Sequence, residues 1–368
     1  MSKISKIEVF KADIPFKFSF KHSTKKRNSS ESIFIKILLD NGVAGYGESL
    51  PRSYVTGNTQ DSVFNNLKNY LPVLIGKELK GHIEGVGFIK GLEGIEGEAR
   101  CAVEIALLDC LGRVCNKPLH EILGGAINKT FVYSGIISGE SLLKTAILAL
   151  YFGSQGYKFI KIKVGSDNDI SRVSILRNLL KDADIRIDAN GAWNAQKALK
   201  AIKSLRAFSI SCIEQPTPKG DLNAMQEVAD FSPEPVMADE SLCTKEDALR
   251  LAQTTACDMF NIRLSKCGGI FRSLEIARIA EDYGLSYQIG CHVGESGILS
   301  AAGRHLASIV KKSKYLEGSY SRLLLEKDII EEDLTPKRSI GYTLDRAGLG
   351  ITVKEGILRK YTQESILI

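Results

Sequence analysis

Seven polar residues recur through the second half of the chain at nearly constant intervals. They are Lys163, Asp188, Glu214, Asp239, Lys266, His292 and Glu317, separated by 25, 26, 25, 27, 26 and 25 positions. Most close a short apolar run, as in KFIKIKVG, DIRIDAN, SISCIEQP, EPVMADES and KYLEG. Asp188, Glu214 and Asp239 are consecutive in the series. At the tips of adjacent parallel strands, about 4.8 Å apart, three carboxylates can surround one hard cation. Positions then remain for water and substrate, which suits Mg2+. One such acid alone reads better as a helix cap or a strand-end turn; three at matched positions read as a metal centre. Lys161 and Lys163 share one side of a strand, while Ile160, Ile162 and Val164 take the other. Two ammoniums inside a barrel need counter-charges. A nearby cation and partial burial are expected to lower a lysine pKa and make the amine usable as a base. Lys266 lies four repeats beyond Lys163 and is expected to face it across the mouth. Asn261 and Arg263 share a strand face that Lys266 does not, so a bulge or the start of a loop must intervene.

The elements that must position these residues follow from the same spacing. An interval of about 26 residues holds one strand, one loop and one helix, and DISRVSILRNLLKD and WNAQKALKAIKSLRAF read as helices. Strands alternating with helices should be parallel, and a barrel of them exposes every C-terminal strand end on one face. The alternation runs from TFVYSGIIS (130–138) to about residue 325. Before it, residues 4–13 and 31–40 alternate as half-buried strands, DNG marks a turn, and VAGYGES continues as a third strand. Residues 60–70 read as an amphipathic helix with Asn58 or Thr59 as its cap and Pro72 near its end. A strongly apolar helix within 97–125 stops near Asn116-Lys117-Pro118. Strands followed by helices make this an α+β unit. The tail, with GYTLDRAGLGITV, is expected to pack back on it.

With 368 residues and 44% hydrophobic content, the chain has the length of about two domains and an ordinary globular composition. The net charge of +6, from 49 basic and 43 acidic residues, is small and mixed, which argues against a nucleic-acid partner. None of the eight cysteines forms a C-x-x-C pair, so they read as reduced and cytoplasmic rather than zinc-binding. The first residues lack a signal-peptide core, and no apolar run is long enough to span a membrane.

The set KIK, DAN, EQP, DES and LSKCGG, in that order and spacing, closely resembles the enolase superfamily. Within it the resemblance is to the muconate-lactonising subgroup, closest in motifs to its dipeptide epimerases. GYGES, YVTGNT and KPLHEILGG resemble the capping domain of this group, and RAGLGI its C-terminal return. The resemblance implies a modified TIM-type (β/α)7β barrel over residues 126–328. An α+β capping domain over 1–125 would be completed by residues 329–368. It implies Asp188, Glu214 and Asp239 as ligands of one Mg2+ per subunit, with Asn190 and Glu240 as supports beside it. Lys163 would be the base on one face of the substrate, Lys266 the acid/base on the other, and Lys161 the neighbour of a substrate carboxylate oxygen. The implied reaction removes a proton next to a carboxylate to give an enediolate, which Mg2+ and Lys161 stabilise. A racemase or epimerase of dipeptides or N-acyl amino acids is the first reading. A muconate cycloisomerase or an o-succinylbenzoate synthase-like lyase shares the same half-reaction. An inactive barrel scaffold is the reading from another class, and the full set of lysines and carboxylates speaks against it.

Dipeptide epimerases of this kind carry Asp-x-Asp on the eighth strand, where this chain has Glu317-Gly318-Ser319. Lys161, His292, Glu317 and Ser319 are therefore expected to line the substrate pocket, with Glu317 contacting a polar or cationic substrate group. The basic segment from Lys21 to Arg27 would close over the barrel in this family, although a solvated charge run fits it equally. Trp193 reads as packing. The partners expected are a small-molecule carboxylate and further copies of the chain, with no nucleic acid and no membrane.

Overall fold

A computed structural model of the chain describes residues 2–21, 26–139, 141–311 and 313–368. The N-terminal part is built on a sheet in the order Thr362–Leu367, Ser2–Ala12, Ser32–Leu39, Ala44–Ser49, with every neighbour antiparallel. The chain's last strand thus pairs with its first. The helix Gln60–Tyr70 is capped by Thr59, whose side chain accepts from Ser62 N in a reciprocal capping box. Asn58 instead donates to Glu98. The long helix Gly97–Val114 lies against Ala44–Ser49 at a distance only glycine permits. A Cβ on Gly47 would stand 1.9 Å from Ala102 O, and one on Gly45 2.4 Å from Ala106 O. The GYGES motif therefore follows from this crossing.

The second sheet has eight parallel strands in sequence order: Gly135–Ile137, Phe159–Lys163, Asp184–Asp188, Ile210–Glu214, Val236–Ala238, Met259–Ile262, Ser286–Ile289 and Ser313–Leu316. Ser134 N donates to Leu316 O at 2.8 Å, and a parallel bridge joins Tyr133 to Leu316, which closes the ring. The run 130–138 is not one strand. Thr130–Val132 pairs antiparallel with Ile340–Tyr342 of the tail, and only Gly135–Ile137 joins the barrel. Outward residues such as Ile160, Ile162, Ile185, Ile187, Ile213, Phe260 and Ile262 are buried under the helices. Inward residues form layers. Cys212, Met237, Met259 and Tyr315, with Phe159 against them, make an apolar floor. Two residues further along the strands stand Lys161, Glu214, Asn261 and Glu317, and the period of two makes this the same inner face.

Buried carboxylates of the cap hold the two parts in register. Glu48 accepts from Ser296 N at 3.0 Å, Ser296 Oγ at 2.6 Å and Leu299 N at 3.1 Å, at the start of the helix Gly297–Ile309. Glu104 accepts from Phe271 N at 3.0 Å. A Cβ on Gly269 (φ 102°) would meet that Glu104 carboxylate at 2.6 Å, which explains the second glycine of KCGG. Among the described residues no helix is long and apolar enough to cross a membrane.

Candidate active site

The lower charged layer is nearly all pairs. Lys161 Nζ lies 3.2 and 3.1 Å from the two Glu214 oxygens, 2.9 Å from Glu317 and 3.6 Å from Asp188. Arg186 donates to Glu317 at 2.9 Å and to Ser134 Oγ at 3.1 Å, with its guanidinium 3.8 Å from the centre of the Tyr315 ring. Asn261 Nδ2 donates to Glu214 Oε1 at 2.8 Å. Burial works against the Lys161 charge, but Glu214, Glu317 and Asp188 outweigh it and hold the ammonium above the ordinary lysine range. Glu317 is held low because Lys161 and Arg186 outweigh its burial.

At the mouth, Lys163 Nζ stands 3.1 Å from Asp188 Oδ2 and also donates to Asn190 Oδ1. Its side chain keeps 16% exposure against 3% for Lys161, so of the two it is the one open to the mouth. Asn190, left-handed at φ 46°, donates to Glu240 at 3.1 Å. Gln215 is also left-handed, at φ 39°, and its side-chain oxygen accepts from Asp239 N at 2.9 Å and Ser241 N at 3.1 Å. That bond sets the Asp239 loop and gives the Gln of EQP its role. Arg263 bridges Glu214, at 3.3 Å, and Asp239. Burial raises Asp188, but Lys163, Lys161 and Arg263 outweigh it and hold it low. Asp239 is likewise held low by Arg263 and Lys266 over its burial.

The structure thus gathers Lys161, Lys163, Asp188, Asn190, Glu214, Asp239 and Glu240 around one barrel mouth. The other expected residues stand as follows. As the parity of Asn261 and Arg263 required, Lys266 does not continue the inner face of its strand. The strand ends at Ile262, a short helix Leu264–Cys267 follows, and Lys266 reaches Asp239 O and, at 3.0 Å, Asp239 Oδ1 with a fully covered side chain. Glu317 stands in the same layer as Lys161, with its carboxylate shared between Lys161 and Arg186. Ser319 turns at φ 59° toward Tyr133 OH (3.1 Å) and Arg304 (3.4 Å). Lys161 and Lys266 are raised rather than lowered, because the carboxylates beside them outweigh their burial. His292 is buried. Burial, then Arg263 and Arg52, push its imidazole well below the ordinary range, so it is neutral. Of the basic segment, residues 22–25 lie outside the described residues; Arg27 pairs with Glu31. Trp193 is buried as packing. Arg186 was not expected in the site, and Arg263 was read only for the strand face it shares with Asn261. Their signal was parity with Asp188 and Asn261 on the same strands.

Among the described residues the three carboxylates do not close on one point, since Arg263 takes two of them and lysines take the third. The donor chemistry nevertheless fits Mg2+. All three are hard oxygen donors, fully buried, at the ends of neighbouring strands. Burial, with Asp188, Glu317 and Asp239 adding to it against Lys161, pushes Glu214 up to about 8. The buried Glu240 Oε2 has no hydrogen-bond partner among the described residues. Both mark a place short of positive charge.

Residues 4–124 match the N-terminal domain of the mandelate racemase/muconate lactonizing enzyme family, and residues 146–357 match the enolase C-terminal domain-like fold. The chain belongs to the mandelate racemase/muconate lactonizing enzyme family. It is 32% identical to an L-Ala-D/L-Glu epimerase of Bacillus subtilis, over 95% of this chain and 96% of that one. The crystal structure of the N-succinyl Arg/Lys racemase from Bacillus cereus superposes with a TM-score of 0.92 at 30% identity, covering 100% of both chains. A dipeptide epimerase from Cytophaga hutchinsonii, complexed with Mg and the dipeptide D-Ala-L-Val, gives 0.89 at 28% identity and 100% coverage of both.

Proposed function

We propose that this protein is a Mg2+-dependent isomerase that removes the proton from the carbon next to a carboxylate, with N-acylated amino acids or dipeptides as substrates. The observation that carries the reading is Lys163, partly open at the mouth, beside three buried carboxylates on consecutive strand ends. Membership of a family whose relatives include epimerases and a racemase supports it. Asp188, Glu214 and Asp239 would hold the metal, which when bound supplies positive charge for the oxyanions of an enediolate. Lys163 in its amine form takes the α-proton: the C–H bond breaks, an N–H bond forms, and the electron pair passes into the carboxylate. Lys161, an ammonium fixed by Glu214 and Glu317, stays charged and faces the developing negative oxygens. Asn190 and Glu240 keep Lys163 and Asp188 in place.

The test is exchange of the α-proton in D2O with Mg2+ present, across N-succinyl amino acids, dipeptides and muconate, followed by proton NMR. Exchange is expected on an acylated substrate, falling on the order of 10³-fold in Lys163→Ala and disappearing with excess chelator. Undiminished exchange in Lys163→Ala, or full activity under chelator, overturns the reading. A one-base reaction of the cycloisomerase or lyase kind is the second reading, favoured by the arginine that stands opposite Lys163.

A further inference from the structure

We infer that Arg263, and not Lys266, is the group facing Lys163 across the substrate cavity, and that it makes proton transfer one-sided. The inference rests on the proposed proton abstraction and determines its stereochemical outcome. On the second barrel strand the inner face reads Phe159, Lys161, Lys163. On the sixth it reads Met259, Asn261, Arg263, by the same period of two. Each step of that second row is confirmed by a contact inside the barrel. Met259 packs in the floor, Asn261 bonds Glu214, and Arg263 bonds Glu214 and Asp239. Eight strands in sequence order put the second and the sixth four apart, on opposite walls of the closed ring. Phe159 and Met259, Lys161 and Asn261, Lys163 and Arg263 are therefore opposed layer by layer.

Lys266 belongs to another place. The chain has already turned into the helix Leu264–Cys267, which ends on Gly268 at φ 85°. Its ammonium sits behind Asp239, bonded to that residue's main chain and side chain. The residue borders a separate cavity of about 250 Å³ lined by Glu96, Cys243, Glu246 and Arg272.

An arginine and a lysine at this position are not equivalent. A lysine can lose its proton, take one from carbon and give it back. A guanidinium has no free lone pair and is too weak an acid to do either. The buried His292 is held neutral by its burial and by the charges of Arg263 and Arg52. On the Lys163 face the cycle is complete. The amine takes the α-proton, giving an ammonium and an enediolate. In D2O the ammonium exchanges with solvent, a deuteron returns to the same face, and the C–D bond forms with configuration retained. Nothing is oxidised or reduced. Inversion requires a proton from the Arg263 face, and the guanidinium there does not supply one. On N-acylated amino acids and dipeptides Arg263 thereby makes exchange on the Lys163 face the fast process and inversion the slow one.

The experiment uses the full chain with Mg2+ and four probes: N-succinyl-L-lysine, N-succinyl-D-lysine, L-Ala-L-Glu and L-Ala-D-Glu. Exchange is read by loss of the α-proton NMR signal and inversion by circular dichroism. The wild type should exchange one enantiomer of a responsive pair on the order of 10²-fold faster than it inverts it. The other enantiomer should exchange slowest. Arg263→Lys should bring inversion toward the exchange rate, and Lys266→Met should leave the ratio of the two rates where it was. If the wild type exchanges both enantiomers equally and Lys266→Met silences one of them, Lys266 is the second base and the inference falls while the proposed function stands. If no probe exchanges in either configuration, both fall.

Discussion

Within two residues along each strand the barrel interior changes from one kind of matter to another. The floor of Phe159, Cys212, Met237, Met259 and Tyr315 is an apolar plug. The layer above it, with Lys161, Arg186, Glu214, Asn261 and Glu317, is almost wholly ionic and as deeply buried. The floor needs only volume and low polarity, and it stabilises the fold through dispersion and lost contact with water. The ionic layer costs several kcal/mol of desolvation per ion, repaid only where every lone pair and proton finds a partner. Here some do not. Arg186 Nε and Nη1, Asn261 Oδ1, Arg263 Nε and both amide atoms of Gln288 are buried without a hydrogen-bond partner. Stability alone would have extended the apolar plug upward. A layer kept charged and partly unsatisfied fits a place where anions and cations are to be handled.

The sharpest way to break this contrast is to put apolar matter into the ionic layer at one point only. Glu317→Leu leaves Lys161 and Arg186 facing each other without their shared carboxylate. The expected cost is about 3–5 kcal/mol of unfolding free energy, read by chemical denaturation, with proton exchange lost as Lys161 moves. A stability change near zero would mean that Glu317 does not neutralise the pair. Its counterpart in the floor is Met259→Ala, expected to cost about 2 kcal/mol because Phe159 and Cys212 can close in. There the ratio of exchange to inversion should not move, and a changed ratio would show that the floor sets the chemistry above it.

A third effect depends on pH and concerns a buried titratable group outside the barrel interior. His305, stacked with His120 at a ring distance of 5.4 Å, is pushed down to about 3, mainly by burial. Its folded pKa lies below the ordinary 6.5, so between pH 6.5 and 3 the unfolded chain holds more protons at this residue. Stability from the neutral ring is therefore present above 6.5 and is lost as the pH falls through that window, by at most about 1.4 kcal/mol per pH unit. Relative to His305→Gln, the wild type should weaken on acidification from pH 6.5 toward 3. Parallel melting curves for the two proteins would refute the assignment.

The strand ends were legible because chemistry and period coincide there. Asp188, Glu214 and Lys163 each close a strand, and a spacing of about 26 residues is visible without a structure. At Lys266 the interval alone is blind to the four-residue helix that carries it, and only the parity of Asn261 and Arg263 signalled that the strand had ended. Glu317 and Ser319 were placed correctly along the chain, but the backbone turn at Ser319 and the competing cation Arg186 decide where they point. Such choices depend on partners far away in sequence, which no local pattern records.

The pairing of Ser2–Ala12 with Thr362–Leu367 also has a bearing on how the protein is made. On the ribosome Ser2–Ala12 emerges long before Thr362–Leu367, one of its two long neighbours. At roughly 5–20 residues per second, the capping sheet waits tens of seconds with an open edge, while the barrel strands between are already available to fold. An unpaired, apolar first strand is a template for wrong pairing during that wait. Loss of the final residues would make the wait permanent, so a truncated chain should betray itself by aggregation rather than by weakened catalysis.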